Sequence, residues 1–293
     1  MKKNRIKLIL NKRNSIIAIS LIIVLFTLLL TNTLIAQTDN EDLNEFFRAQ
    51  KLYDKAIGFQ SIGKNPREAY QLFEEASSIY LNLINKGYKS AYLYYNLANS
   101  YFNIGELGKT IYYYKIADKL KPSFRDIDRN LAEARSEVKN YIEDKNQNTI
   151  IEIFFFWHFQ IPLTIRLWIG ITSFILIWII AGINLLYRKR YLKGILIALT
   201  IISAIFIASI TTQYITDNTQ WWGVVTANEG VEARKGPGEN YEPSFTEKLS
   251  EGIEFTINDK KGNWYKVKLK NNEICWIPED SVIVNKGSII FIE

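Results

Sequence analysis

Three stretches of this chain carry no charged side chain: residues 15–38, 167–187 and 194–216. A bilayer's hydrocarbon core takes roughly 20 apolar residues at about 1.5 Å each. Each stretch is long enough to cross, so the chain does not read as a simple soluble protein. The overall composition hides this, because 48% apolar and 23% charged residues match an average globular protein. The apolar residues are gathered into blocks rather than spread.

The charges are gathered too. The net charge of +6 would suggest a nucleic-acid partner if it were evenly spread. Instead the excess lies beside the apolar blocks, at Lys2, Lys3, Arg5, Lys7, Lys12 and Arg13, and again at Arg188, Lys189, Arg190 and Lys193. Residues 37–150 balance 16 basic against 16 acidic side chains, and residues 217–293 are acidic, with 9 basic against 13 acidic. Neither region offers the basic face that a phosphate backbone requires, so no nucleic acid is expected. Cytoplasmic flanks of membrane helices are rich in Lys and Arg. The basic N-terminus is therefore expected inside. The chain crosses outward, returns through 163–187, turns in a cytoplasmic loop at 188–193 and leaves again through 194–215. Both remaining regions, 39–148 and 220–293, then lie on the outer side of an inner (cytoplasmic) membrane. Residues 1–36 fit a cleaved signal peptide ending near Ala36, or a retained signal anchor, since Leu34 is large for a cleavage site.

Residues 39–148 are polar, with a helical period. In Ala91–Pro122, Tyr94, Leu97, Ala98 and Tyr101 share one helical face, Gly105 and Gly108 bracket a turn, and Ile111, Tyr114 and Ala117 mark a second helix that ends at Pro122. This spacing resembles the tetratricopeptide repeat, a 34-residue helix–turn–helix unit. Thr110 departs from the usual Ala. Ala76, Tyr80 and Leu83 repeat the second-helix pattern one unit earlier, and Arg129–Ala132 restarts a first helix. One unit cannot bury its own face, so an all-α array of five or six helices is expected. The resemblance implies a concave groove for peptides or partner proteins. Tyr95, Asn96 and Asn99 are its candidate binding residues. The asparagines suit hydrogen bonds to a bound backbone, and they equally suit a solvated helix face. Tyr92, Tyr94, Tyr95, Tyr112, Tyr113 and Tyr114 exceed what the helix core needs, which suggests a protein interface or, equally, packing against the membrane-proximal segment.

Residues 150–162, with the run IIEIFFFWHFQI, are too short to span and rich in aromatics, as suits the membrane interface. His158 reads as an interfacial side chain, or as a pH-sensing or metal-binding residue. Arg166, at the outer end of the first span, is expected to snorkel to water. No ionisable residue lies within 167–187 or 194–216, so ion transport is poorly supported. The two spans read as a transmembrane hairpin that anchors the chain.

In 220–293 the pattern becomes short strands between turns. Val231–Gly238 enters an Arg-x-Gly-Pro-Gly loop. Leu249–Gly252, Trp264–Val267 and Cys275–Pro278 follow, with Cys where Gly is usual. The residues resemble a bacterial SH3-like domain, a small all-β barrel. That resemblance implies a peptide or cell-wall groove lined by Tyr241, Trp264 and Trp276, though both tryptophans also suit a barrel core.

The chain holds one Cys and one His. That excludes an intrachain disulfide and a multi-His metal site, and it leaves no nucleophile–base pair, so no enzyme and no cofactor is expected. The whole order (signal, repeats, hairpin, barrel) resembles the BatE-type proteins of the Bat aerotolerance operon. The resemblance implies a non-enzymatic, stress-linked membrane scaffold whose partners include Bat proteins with von Willebrand factor A-type domains. The alternative is an envelope sensor, in which the barrel binds cell-wall fragments or peptide and modulates partner binding.

Overall fold

The computed structural model describes residues 40–63, 65–122, 124–143 and 149–286. The expected signal segment at 1–36 lies outside the described residues. The architecture is helix-rich, with one small antiparallel sheet and two long apolar helices.

Five helices come first: α1 (Asn40–Ser61), α2 (Pro66–Asn85), α3 (Ala91–Ile104), α4 (Leu107–Leu120) and α5 (Arg125–Ser136). Their ends follow from local chemistry. Pro66 opens α2, where a missing N–H costs nothing. Ser90 caps α3 by accepting the Leu93 N–H at 3.1 Å, and Gly105 closes that helix at φ 92°, a conformation suited to glycine. Each helix packs on the next. Their core holds Tyr80, Leu83, Leu97, Ala98, Ile111, Tyr114, Ala117, Ile127 and Leu131. Tyr113 lies between the rings of Tyr94 and Tyr101, with centroids 6.3 and 5.6 Å away. The tyrosine run is thus partly core, which its spacing along the sequence does not show.

The sheet contains β1 (Trp221–Val225), β2 (Glu254–Lys261), β3 (Trp264–Leu269), β4 (Ile274–Pro278) and β5 (Val282–Asn285), ordered β4-β3-β2-β1-β5 and antiparallel throughout. The long 226–253 connection is tied down by bridges between Val231 and Leu249, and between Arg234 and both Pro243 and Trp276. Val224, Phe255, Tyr265, Val267, Leu269, Cys275 and Ile277 are buried. These side chains and those of the helices belong to one continuous apolar core, and the array and the sheet fall in one compact unit. The same unit includes two short helices, α6 (Thr149–Phe154) and α7 (Phe156–Phe159), which expose Ile150, Ile153 and Phe154.

The second unit holds the apolar helix α8 (Leu163–Tyr187) and, up to Gln213, the apolar helix α9 (Arg190–Thr219). Both are long and apolar enough to cross a membrane, and only 6% and 11% of their most apolar windows are buried by protein. A soluble core helix would be mostly covered, so insertion into lipid is the better account. Helix α9 starts at Arg190 and runs to Thr219. The turn is thereby shortened to Arg188–Lys189 and the second helix extends past residue 215. Arg166 does not reach for water, contrary to the sequence-based expectation. It is 1% exposed, and its Nη1 and Nη2 donate to Ser209 Oγ at 2.9 Å and Gln213 Oε1 at 2.8 Å. Ser209 and Gln213 lie one turn apart on α9 and face the same partner.

Candidate functional site

Two of the three sequence-predicted array residues, Tyr95 and Asn99, fall into a half-buried network of tyrosines and asparagines. Tyr95 and Asn99 share a face of α3, one turn apart. Asn130 on α5 donates to Tyr95 Oη at 3.0 Å and to Asn99 Oδ1 at 3.3 Å. Tyr114 on α4 also donates its hydroxyl to Asn99 Oδ1. One turn further along α3, Asn103 donates to Tyr53 Oη at 3.3 Å and to the Asn99 carbonyl at 2.9 Å. Asn96 stands apart, beside the buried Tyr80 hydroxyl. Burial pushes the Tyr114 hydroxyl well above its ordinary range, so it stays a neutral donor. Asn99 is therefore already engaged inside the protein. Asn130 and Tyr53, which sequence reasoning passed over, belong to the same set. Their signal is an Asn or Tyr one turn from a core position in neighbouring helices.

Of the three groove candidates, Trp264 and Trp276 lie in the sheet and Tyr241 in the 226–253 connection. The core positions of β3 and β4 go to Tyr265, Val267, Leu269, Cys275 and Ile277. Trp264 and Trp276 take the opposite face and stay half-buried, with Trp264 opposite Pro278 and Trp276 opposite Lys266. Arg234 ties Trp276 to Tyr241. Its backbone exchanges two 2.8 Å hydrogen bonds with Trp276, and its Nη1 donates to the Tyr241 carbonyl at 2.8 Å. The Tyr241 ring lies against Gly236, where an added Cβ would sit 2.2 Å from Cδ1.

A third cluster was invisible in the sequence, because its members are scattered along the chain. Glu254, at the start of β2, is 3% exposed. It receives Arg135 of α5 through both oxygens, Nε to Oε1 at 2.8 Å and Nη2 to Oε2 at 3.1 Å. Lys115 of α4 approaches Oε2 at 2.7 Å, and Lys270 donates to Oε1 at 2.6 Å. Burial alone would raise the Glu254 pKa, but Lys115, Arg135 and Lys270 outweigh it and hold the carboxyl well below its ordinary range. Burial lowers the Lys115 ammonium, with Glu254 opposing. Breaking such a pair leaves a buried charge uncompensated and costs about 3–5 kcal/mol.

Around this clamp the fit is close. Lys115 Nζ stands 4.0 Å over the Trp222 ring, which also meets Tyr112 at 5.2 Å. Glu251 Oε1 accepts the Gly108 N–H at 2.7 Å. It supplies the start of α4 with the carboxylate that Glu106, the N-cap residue, does not. Gly108 meets the backbone of Val225 and Thr226, and Gly252, at φ 90°, meets Val138 and Ile111. A cleft of about 260 Å³ beside this contact is lined by Lys139, Glu229, Lys248 and Glu251, among others.

Cys275 is buried, and burial pushes its thiol up to about 12, with Glu273 adding to the shift. Such a thiol carries no thiolate at neutral pH. Among the described residues, no three His, Cys, Asp or Glu side chains gather into a metal-binding group.

No protein-family model and no curated protein matches the chain.

Proposed function

We propose that this protein is a non-enzymatic membrane-anchored scaffold. A tetratricopeptide-type array binds a partner protein through the face carrying Tyr95 and Asn99, and an SH3-like domain is docked beside it. The observation that carries this reading is the half-buried Tyr95–Asn99–Asn130 network. Side-chain amides and hydroxyls on a rigid helical face suit the backbone of an extended peptide, and tyrosines are enriched where proteins meet.

The docking supports the expected topology. Helices α8 and α9 lie in the chain between the array and the sheet, yet array and sheet share one compact unit. Only an even number of crossings returns a chain to its starting side. The basic Arg188–Lys193 segment then favours a cytoplasmic turn, with both modules outside. On the BatE-type resemblance, the partner is a Bat protein with a von Willebrand factor A-type domain, and the setting is stress or oxygen tolerance.

A photo-crosslinking residue at position 95 or 99 in native membranes tests this, with exposed Lys51 as the control position. Crosslinks from 95 and 99, but not 51, to a von Willebrand factor A-type protein are the expected result. Specific crosslinks to another protein keep the scaffold and reject the Bat assignment. Equal crosslinking from all three rejects the binding face.

One observation favours the sensor as a second reading. Trp264 and Trp276 are half-buried on the face of the sheet opposite its core, beside Tyr241. That arrangement suits a peptide or a sugar ring of the cell wall.

A further inference from the structure

The clamp at Glu254 and the network at Asn99 share the same two helices. On α4, Tyr114 belongs to the network and the next residue, Lys115, to the clamp. On α5, Asn130 belongs to the network and Arg135 to the clamp. Helix α5 is only 12 residues long, its N-cap Phe124 makes no side-chain capping bond, and it buries Ile127, Leu131 and Ala134. A helix this short is marginal without tertiary support. That support comes from α4 along its length and from the sheet at its C-terminal end, where Arg135 forks onto Glu254 and Val138 lies against Gly252.

We propose that Glu254 is a positioning residue for the Tyr–Asn network: by holding Arg135 it fixes α5, and α5 presents Asn130 to both Tyr95 and Asn99. The two-state element is α5, seated or released. Seating favours the sheet contact at one end and the completed network on the other flank. Thermodynamic linkage then runs both ways. A ligand that needs Asn130 in place tightens docking of the sheet, and whatever loosens the sheet weakens that ligand. The functional consequence rests on reading the network as the partner-binding face. The mechanical coupling does not.

Amide hydrogen exchange on the full chain in lipid nanodiscs tests the coupling. The variants are Glu254→Gln, and two that keep the Glu254 charge: Arg135→Lys, which loses the fork, and Lys270→Met. Glu242→Gln, which breaks only the exposed ion pair with Lys235 inside the 226–253 connection, is the control. Glu254→Gln should speed exchange across 125–136 by about tenfold, with the two milder variants in between. Residues 40–85 and 264–269 should stay unchanged, as should every segment in the control. Unchanged exchange in α5, or an equal rise everywhere, overturns the proposal. If Glu254→Gln fails to fold, the other two variants carry the same outcomes. Crosslinking from 95 and 99 separates the two readings. Absent crosslinks in the unsubstituted chain with the expected α5 response to Glu254→Gln defeat only the partner face, whereas crosslinks with an inert α5 defeat only the coupling.

Discussion

Replacing Gly108 with alanine should destabilise the protein, although alanine is the better helix former. A Cβ built on Gly108 would sit 2.2 Å from the Val225 carbonyl oxygen and 2.9 Å from Thr226 Cα. Non-bonded heavy atoms settle at about 3.5–4.0 Å, so helix and strand must part by about 1 Å. Both obstacles are backbone and cannot rotate away. Overpacking of this kind costs about 1–3 kcal/mol. The shift also stretches the 2.7 Å bond from the Gly108 N–H to the Glu251 carboxylate, a charged hydrogen bond worth about 1.5–3 kcal/mol. Helix propensity returns at most about 1 kcal/mol, so the net loss is about 2–4 kcal/mol. Gly58, within α1, is the control, because a Cβ there meets nothing within 4 Å. Gly58→Ala should gain about 0.5–1 kcal/mol. In thermal melts of the full chain in detergent, the two variants should shift Tm in opposite directions, by about 2–4 °C per kcal/mol. Shifts of the same sign would refute the reasoning that Gly108 marks a docking contact.

Asp118 on α4 is half-buried, and burial, with Asp128 adding, raises its pKa from 3.8 to about 6. The folded state holds this proton longer than the unfolded chain does, so the stabilising contribution is present below about pH 4 and lost as the pH rises through 6. Asp118→Asn should therefore raise stability at pH 7 by about 1–2 kcal/mol. The advantage should vanish by pH 4, and a pH-independent gap in Tm would contradict it. Cys275 should resist a maleimide in the native protein and react once the chain is unfolded, because its thiol is buried and pushed up to about 12; rapid native labelling would contradict that burial. Ser209→Ala with Gln213→Leu should weaken the hairpin by about 1–2 kcal/mol in an SDS titration, since both bonds to Arg166 are lost. An unchanged midpoint would mean that these bonds contribute nothing.

The parts legible in the sequence were those written in local pattern. The helix pair around Leu97, Tyr101, Tyr114 and Ala117 follows from spacings of three and four, and the two apolar helices from uncharged runs. The strand at Trp264–Leu269 follows from alternation, in which Tyr265, Val267 and Leu269 turn inward. What failed to show was every contact that joins distant segments. Glu254 reads as one more acidic residue among the 13 in its region, and nothing local brings it to Lys115 and Arg135. Gly108 reads as a turn glycine, yet it is the second residue of α4 and is kept small by a strand more than 100 residues later in the chain. Arg166 reads as an interfacial cation, because its neighbours in sequence are apolar. Its partners lie on the returning helix, one turn apart. The candidate asparagines were found because they stand on a helical face. That Asn99 is already held by Tyr114 and Asn130 depends on how three helices pack.

The docking contact bears directly on the choice between scaffold and sensor. Two modules joined by a flexible tether can bind independently, and deleting one leaves the other's affinity unchanged. Here the modules share a buried carboxylate, a trans cap on α4 and one apolar core. The array in isolation would uncover Ile111, Val138 and the charge of Lys115 and Arg135. On the proposed scaffold reading, a fragment spanning 39–148 should then bind its partner more weakly than the full chain, even if every residue of the proposed face is present. Joining residues 220–286 back to that fragment through a flexible linker should restore the affinity without any membrane hairpin, because contact with the sheet, not the lipid, organises α5. If the fragment alone binds as tightly as the full chain, the sheet is a passenger and plain scaffolding is sufficient.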